Sequence, residues 1–242
     1  MLRFDHVTRL YGQRVAVADL HLEIARGELY ALLGHNGAGK TTTIKMLTGL
    51  LRPSSGTIWV GPFQVEEHPR EVSRLVGYVP DQPFLYDKLS GREFLRFVAE
   101  MHGLPEPAVQ QAIERESLRF QLGEFLDRLT ESYSHGMRQR TVFAAAMIHD
   151  PQVLVVDEPM VGLDPHSIRL VKDLLRDYAD AGKAVLMSTH TLDVAEEVAD
   201  RVGVMKNGKI IFDGPVAQLR AAMPDAGDSL ESLYLALMAQ GE

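Results

Sequence analysis

The chain has no cysteine, which excludes disulfide bonds and thiolate chemistry and fits a cytosolic protein. No stretch approaches the ~18 continuous apolar residues that a membrane span requires. The N-terminal segment lacks the charged-then-apolar pattern of a signal peptide, so we expect none. Lysine and arginine number 25 against 33 aspartates and glutamates, a net charge of −8. Broad attraction to nucleic acid is therefore not expected, and any membrane role would depend on a partner chain.

Internal repeats, low-complexity tracts and long linkers are also absent. With 242 residues, the chain is long enough for one large domain or two small ones. Its 45% hydrophobic and 24% charged residues are typical of a soluble globular protein. We expect one domain over residues 1–242, with an α/β core at about 1–90 and 149–242 and a helical insertion at about 91–148.

Apolar runs and helical periodicity alternate along the core part of the chain. The first third predicts short strands, including one at 29–33, followed by a helix over 40–51 that ends before Pro53. The later strands are predicted at 153–156, 184–187 and 202–205, and the helices at 167–179 and 192–199. Alternating strands and helices predict a parallel sheet that is covered on both faces.

Two short patterns concern the end of the chain. Asn207-Gly208 lies between two apolar runs, which predicts a tight hairpin. From Leu230 onward, apolar residues recur at i, i+3, i+4 and i+7, which predicts an amphipathic helix.

A glycine-rich segment follows the strand at 29–33. Residues 34–41 read GHNGAGKT and satisfy G-x-x-x-x-G-K-[ST] between a strand and a helix. Glycines let successive backbone N–H groups turn inward around a β-phosphate, and the helix N-terminus adds its positive dipole end. Lys40 can reach the β- and γ-phosphates, and the Thr41 hydroxyl can ligate Mg²⁺. The alternative, an ordinary glycine-rich turn, does not account for the full pattern with its flanks. The predicted nucleotide-binding residues are Gly34, His35, Asn36, Gly37, Ala38, Gly39, Lys40, Thr41 and Thr42.

An acidic pair, Asp157-Glu158, follows the buried-strand run at 153–156. Ligands bind at the C-terminal ends of the strands in such sheets. Asp157 suits an outer-sphere position on Mg²⁺, and Glu158 would lie near the γ-phosphate, where it can polarise an attacking water. Adjacent carboxylates are costly unless a cation or backbone donors hold them, which Mg²⁺ would do. A solvated acidic turn is the alternative, and the phosphate loop makes it the weaker one.

The segment 133–140, Tyr-Ser-His-Gly-Met-Arg-Gln-Arg, is predicted to open a helix. The Ser134 hydroxyl and the Gly136 N–H at that helix start can face an anion. The alternative interpretation is an ordinary helix start that Thr130 or Ser134 caps.

The phosphate loop, the 133–140 segment and the acidic pair occur in the order found in ATP-binding subunits of ABC transporters, and essentially the whole chain resembles that family. Prokaryotic exporter-type members look most similar. The resemblance implies a P-loop NTPase fold with a RecA-like parallel-sheet core, an N-terminal antiparallel β subdomain and an inserted helical subdomain. It also implies ATP and Mg²⁺ as cofactors.

Individual residues then receive roles by that resemblance. Tyr11 falls where an aromatic ring stacks on adenine, although a core tyrosine at a strand end is the alternative. His190 falls at the switch histidine, which can donate to the γ-phosphate, and Asp164 belongs to the dimer-contact loop 162–164. The family signature, usually LSGGQ, corresponds to Tyr133 followed by Ser134, His135, Gly136 and Met137, which would contact ATP held by the opposite protomer. Lys40, Glu158 and His190 are the predicted catalytic residues.

The chain departs from the family pattern at two places. Asp81 stands where the lid glutamine is expected, with Gln82 one residue later. Asp81 could ligate Mg²⁺ directly but could not orient a water as an amide does; we favour Asp81 over a shifted loop that uses Gln82. His135 places a side chain where close backbone approach is expected. We expect it to slow or tune hydrolysis without abolishing it, because Ser134 and Gly136 remain.

The sequence thus predicts an ATPase that dimerises head to tail, either with itself or with a paralogue, and drives a separate integral-membrane permease. Export is favoured over import, and the expected location is the cytoplasmic face of the membrane. Phe84, Leu85 and Tyr86 are predicted to line a groove for a permease helix, with simple core packing as the alternative. The competing class is a non-transport ATPase of the same family in translation or DNA repair. The net charge of −8 and the single cassette argue against it.

Overall fold

The computed structural model describes residues 1–222 and 229–239. Within these ranges the strands are β1 Leu2–Tyr11, β2 Arg14–Ile24, β3 Leu29–Leu33, β4 Ser55–Val60, β5 Phe63–Gln64, β6 Val76–Val79, β7 Val153–Asp157, β8 Ala184–Thr189, β9 Arg201–Lys206 and β10 Lys209–Gly214. The helices are α1 Lys40–Leu47, α2 Pro69–Leu75, α3 Gly91–Met101, α4 Glu106–Arg119, α5 His135–Met147, α6 Pro165–Asp180, α7 Leu192–Val198, α8 Val216–Ala222 and α9 Leu230–Ala239.

The main sheet has the strand order β10-β9-β3-β8-β7-β6 in the described part of the chain. The five strands from β9 to β6 pair in parallel, as the alternation of strands and helices predicts. β10 is antiparallel to β9 across a two-residue turn at Asn207-Gly208, so the predicted hairpin is confirmed. The carboxyl ends of β3, β7 and β8 therefore meet at one edge of the sheet, where the phosphate loop and the acidic pair begin.

The central strands are apolar along their whole length because both faces of the sheet are buried. Leu29, Ala31 and Leu33 of β3 pack with residues of α3 to α7 and α9. Tyr30 and Leu32 point the other way and pack with β1, β2 and α1. Alternate side chains of one strand thus enter two separate cores, which is why the strand is a continuous apolar run and not an alternating one.

An antiparallel sheet with the order β2-β1-β4-β5 covers the face of the main sheet from which Tyr30 and Leu32 project. This is the predicted N-terminal antiparallel β region. β1 and β2 have 10 and 11 residues, so the expectation of short strands in the first third was wrong for these two, whereas β3, β4, β5 and β6 are short as expected. Burial alternates along much of both strands, because one face packs inward while the other meets solvent.

The helices α3, α4 and α5 occupy the chain between β6 and β7, which confirms the predicted helical stretch at 91–148. Ser90 and Glu93 start α3 with reciprocal hydrogen bonds between each side chain and the other residue's backbone N–H. α5 packs against both α3 and α4. The start of α5 is therefore fixed by a helical layer that is continuous with the core.

Some predicted boundaries were wrong by a few residues. α1 ends at Leu47 and not at residue 51, because Thr48 closes the last turn and Gly49 follows it. α6 begins at Pro165, two residues earlier than predicted, since proline fits the first turn of a helix. The predicted terminal helix is confirmed: Leu230 and Leu233 are buried, and Tyr234 and Leu237 pack partly against them.

Candidate active site

The phosphate loop curls between the end of β3 and the start of α1. Gly39 has φ 117, and a Cβ there would lie 2.6 Å from the carbonyl oxygen of Ala16, so no other residue fits. The Lys40 side chain is only 6% exposed, and its Nζ donates to the Gly34 carbonyl at 2.6 Å. The ammonium thus folds over its own loop, and a phosphate oxygen that bound there would attract it.

An open cleft surrounds this loop. Its lining comprises Tyr11, Arg14, Ala16, His35, Asn36, Gly37, Gly39, Lys40, Thr41, Thr42, Asp81 and Glu158. Of the predicted loop residues, Gly34 and Ala38 lie behind the surface: Lys40 binds the Gly34 carbonyl, and Ala38 is buried. The remaining predicted loop residues face the cleft.

Tyr11 is at the last position of β1 and is 47% exposed. The alternative of a core tyrosine is therefore wrong. The Arg9 guanidinium lies 4.8 Å from the Tyr11 ring centroid, on one face of the ring. A ring at the mouth of the cleft is suited to stacking on a flat heterocycle.

Asp157 ends β7 and is completely buried. Its Oδ1 accepts a hydrogen bond from Ser188 Oγ on the neighbouring β8. Burial raises the pKa of Asp157, while hydrogen bonds from Ser188 and Thr41 lower it and the charges of Asp81 and Glu158 raise it. Its Oδ2 is buried and has no hydrogen-bond partner of good geometry among the described residues.

That orphaned oxygen is the observation that bears on Mg²⁺. A buried carboxylate with an unpaired oxygen, next to a threonine hydroxyl and a phosphate loop, is a hard-oxygen donor set that Mg²⁺ prefers. The residues present therefore fit the cation. A bound Mg²⁺ would also lower the cost of ionising Asp157, because it supplies the opposite charge that the buried site lacks.

Glu158 is held from three directions. Its backbone N–H donates to the Ser188 carbonyl at 3.1 Å, which fixes the turn after β7. Its Oε2 lies 2.7 Å from His190 Nδ1, and its Oε1 lies 3.4 Å from Lys40 Nζ. Since a carboxylate only accepts, His190 donates through Nδ1. The structure thus brings together the three predicted catalytic residues, because β3, β7 and β8 end side by side.

Asp81 follows β6 on an exposed turn and lines the cleft, whereas Gln82 is not among the lining residues. The Asp81 carboxylate accepts a hydrogen bond from the Gln82 N–H at 2.9 Å. Its charge raises the pKa of both Asp157 and Tyr78, although burial is the larger cause for each. Asp81 therefore faces the same charged region as Asp157.

The signature residues lie apart from this cleft in the single chain. Ser134 caps α5, and its Oγ accepts from the Met137 N–H at 3.3 Å. A Cβ added to Gly136 would meet nothing within 4 Å, so this face of the helix start is open. Tyr133 is buried and donates its hydroxyl to the Phe125 carbonyl at 2.7 Å, and Met137 packs partly against the core. The cap interpretation and the anion-facing interpretation are thus compatible.

The His135 ring does not obstruct the open helix start. Its Nε2 lies 3.1 Å from the Val161 carbonyl of the same chain. The ring also packs on Gly162, where a Cβ would come within 2.9 Å of Nε2. The side chain therefore turns back toward the segment that follows Glu158 and leaves Gly136 uncovered.

Asp164 begins the turn into α6. Its carboxylate accepts from the Ser167 N–H at 3.0 Å and from the Ser167 hydroxyl at 2.7 Å. Asp164 thereby closes the first turn of α6 and fixes the end of the segment that starts at Glu158.

Two lining residues, Arg14 and Ala16, were not predicted. Both lie on β2, and only the folding of the antiparallel sheet onto the loop brings them there. The hairpin after β9 supports the same place. The Gly208 N–H donates to the Ala38 carbonyl, and the Gly208 carbonyl accepts from Ala18, both at 2.8 Å. No local sequence pattern indicates these contacts.

Strand pairing also gathers Asp5, His6 and His21 at the surface, with one ligand-type atom of each within 4.8 Å of the others. Sequence spacing does not indicate this group because β1 and β2 contribute to it separately. His6 Nδ1 already pairs with Asp19 at 2.8 Å.

Comparison with known proteins agrees with the fold and the cleft. The family model described as ABC transporter matches residues 17–161, and the chain belongs to that family. It is 32% identical over 227 residues to the ABC transporter ATP-binding protein NatA of Bacillus subtilis (strain 168), covering 93% of this chain and 92% of that protein.

A second relative is the daunorubicin/doxorubicin resistance ATP-binding protein DrrA of Streptomyces peucetius, 36% identical over 217 residues, or 90% of this chain and 66% of that protein. A solved structure of the ATP binding subunit of an ABC transporter superposes with a TM-score of 0.92 at 31% identity, covering 98% of this chain and 99% of that one. The fold is that of a P-loop NTPase, and the protein is an ATP-binding subunit whose ATPase activity is coupled to transport. Within the described ranges, every helix falls short of the length or the apolar character that a membrane span requires.

Proposed function

We propose that two cassettes close head to tail and hold two ATP molecules, each between loop 34–41 of one copy and residues 134–137 of the other. One observation carries this proposal. The cleft around Lys40 and Glu158 is open and none of residues 134–137 lines it, while the helix start at Gly136 is uncovered. A second copy supplies what each copy lacks.

In this arrangement, different residues of the chain bind the adenine, the phosphates and Mg²⁺. Tyr11 stacks on adenine, and the N–H groups of the loop bind the phosphates. Thr41, Asp157 and Asp81 would hold Mg²⁺, which offsets phosphate charge when bound. Lys40 exchanges the Gly34 carbonyl, 2.6 Å away, for phosphate oxygens. These steps leave Glu158 without its lysine neighbour and free to bind water.

Glu158 is then the base that orients the attacking water toward the γ-phosphorus. In the nucleotide-free chain, His190 Nδ1 lies 2.7 Å from Glu158 Oε2, so the two side chains lie side by side at the strand ends. When the γ-phosphate enters, the His190 ring can donate to it, while Glu158 keeps its hydrogen bond from the His190 backbone N–H. Water attack forms the bond to the γ-phosphorus as the bond to the leaving ADP oxygen breaks, and Glu158 accepts the proton that the water loses.

The proposed partner is an integral-membrane permease on a separate chain. A surface groove is lined in part by Leu50, Phe84, Val98 and His149, and Phe84 is 69% exposed. Tyr86 is also exposed and packs edge-on against Phe84. Leu85 is only 3% exposed and belongs to the core, so the prediction that it lines the groove was wrong. The groove fits an apolar helix of the permease.

The remaining assignments follow from this partner. The chain is one cassette over residues 1–242, with the insertion at about 91–148, on the cytoplasmic face of the membrane. It pairs with a second copy or a paralogue. Similarity to DrrA, named for daunorubicin/doxorubicin resistance, supports export. The alternative in translation or DNA repair is not favoured, because NatA is named as an ABC transporter ATP-binding protein and DrrA as a drug-resistance ATP-binding protein.

A mixing experiment tests the shared site. Ser134→Arg blocks the helix start that faces the partner, and Lys40→Ala disables the phosphate loop, so each variant alone should hydrolyse little ATP. A mixture forms heterodimers that contain one intact composite site, and ATPase activity should partly return. Normal turnover by Ser134→Arg alone would show that the site lies within one chain.

A further inference from the structure

The contact between His135 and the segment that follows Glu158 has no role in the proposed cycle so far. Val161 offers only a carbonyl acceptor, so at 3.1 Å the His135 ring donates through Nε2–H, which defines its tautomer. Gly162 has φ 74, and a side chain there would collide with the ring. Histidine at 135 and glycine at 162 are therefore matched to each other.

A second side chain of α5 reaches the same segment. Gln139, one helical turn after His135, is buried and places its Nε2 3.5 Å from the Pro159 carbonyl. Residues four apart lie on one face of a helix. The α5 face formed by His135 and Gln139 thus contacts alternate carbonyls, those of residues 159 and 161.

The contacted segment has weak hydrogen bonds of its own. The Val161 N–H lies 3.4 Å from the Glu158 carbonyl, and the Leu163 N–H lies 3.3 Å from the Met160 carbonyl. These distances exceed those of ordinary N–H to O bonds. Glu158 itself has φ 49, an uncommon backbone angle for glutamate. Of these contacts, the hydrogen bond from His135 at 3.1 Å is the shortest, whereas the Gln139 contact at 3.5 Å is longer than the segment's own bonds, so the His135 contact contributes most to the position of the segment.

We propose that His135 is a positioning residue that, together with Gln139, ties the anion-facing start of α5 to the segment 159–162 and so sets the position of Glu158. This inference rests on the proposed shared site. When the partner's ATP engages Ser134 and Gly136, any shift of the helix start passes to the segment beside the base. The histidine that departs from the signature thus connects phosphate contact in one site to the base of the other.

Three variants separate the effect of losing the imidazole donor from the effect of a changed helix propensity. His135→Gly and His135→Ala both remove the donor, but alanine favours the helix. His135→Gln keeps an N–H donor at the same number of bonds from the Cα. We expect kcat to fall about tenfold in the glycine and alanine variants, since misplacing a catalytic group is costly. Glutamine should recover most of that loss.

Two further readouts distinguish positioning from a structural defect or a direct ATP contact. Affinity for ATP at the phosphate loop, measured by equilibrium titration, should stay within about twofold, because His135 does not line that cleft. Amide exchange at residues 161–163 of the nucleotide-free protein should speed up in the glycine and alanine variants and not in the glutamine variant.

Equal or faster turnover by His135→Gly, or no recovery by His135→Gln, would overturn the inference. So would a parallel loss of ATP affinity. Failure of the shared-site proposal would give a different result. Ser134→Arg would stay active, while the exchange measurement on residues 161–163 would still report on the His135 contact.

Discussion

The phosphate loop and the signature segment are both helix starts, but only the phosphate loop is supported by other parts of its own chain. Around the loop, Lys40 is buried, Gly39 is pressed against Ala16, and β2 and the 207–208 hairpin supply the walls. At the start of α5, Ser134 is exposed and Gly136 faces open space. The phosphate loop is therefore shaped by contacts within the chain, whereas the start of α5 is open to contact with another surface.

The two helix starts differ in how much packing depends on their glycines. A glycine in the loop is required by contacts that exist already, so its replacement should affect folding and binding together. A glycine at the start of α5 has no contact that requires it, so its replacement should affect only events that bring in a second copy.

The largest effect is expected from Glu158→Gln. The variant should lower turnover by about 10²–10⁴-fold, because the base is lost while the shape is kept. ATP binding should persist and dimers should accumulate, which ATPase assays and sizing with ATP can measure. Glu67→Gln, at an exposed position outside the cleft, is the matched control. Normal hydrolysis by the Glu158 variant would remove its assigned role.

The two glycines offer a direct comparison. Gly39→Ala places a Cβ 2.6 Å from a backbone oxygen at φ 117. It should destabilise the fold by about 2 kcal/mol and impair ATP binding. Gly136→Ala should leave ATP affinity unchanged and the melting temperature unchanged or slightly higher, because alanine favours the helix, but it should lower turnover about tenfold, since only a partner approaches there.

Thermal melts and ATP titrations of both glycine variants would measure this. Equal effects on stability would contradict the distinction between the two regions.

The smallest effect concerns Asp157. Burial raises its pKa, so the nucleotide-free protein loses stability as the pH rises through that raised value. Asp157→Asn removes the charge and should raise the melting temperature by a few degrees at neutral pH. The gain should vanish below about pH 4, where the aspartate is protonated in both states.

Melting curves with and without Mg²⁺ and ATP test the same point. The ligands should stabilise the wild type more than the variant, because the orphaned Oδ2 provides the place for the cation. A melting temperature difference that stays constant from pH 4 to 8 would contradict the proposed cost of the buried charge.

The sequence predicts the parts of the fold that depend on local patterns. β3 and β7 are buried on both faces, so their apolar runs are visible without any partner. Lys40 and Glu158 could be grouped because each follows a strand, and parallel strands end at one edge, whereas His190 joined them through the resemblance to the family. The terminal helix and the 207–208 hairpin likewise carry their own signals.

Features that depend on tertiary contact could not be predicted. Arg14 reaches the cleft only after the antiparallel sheet folds over the loop. Leu85 was assigned to the groove together with Phe84 and Tyr86, and only the packing shows that it is buried in the core. The direction of the His135 ring depends on Val161, a residue 26 positions later. In contrast, Gly49 after α1 was a visible stop signal.

The 207–208 hairpin has a practical consequence for protein engineering. Tight surface turns are usually chosen for inserted tags, labels or fused domains because their backbones tolerate additions. Here the backbone groups of Gly208 hydrogen-bond to Ala38 in the phosphate loop and to Ala18 in β2. An insertion at this turn would pull on the nucleotide cleft, even though nearly 170 residues separate it from the loop along the chain. Fusion partners would be better placed at a turn that does not support the cleft.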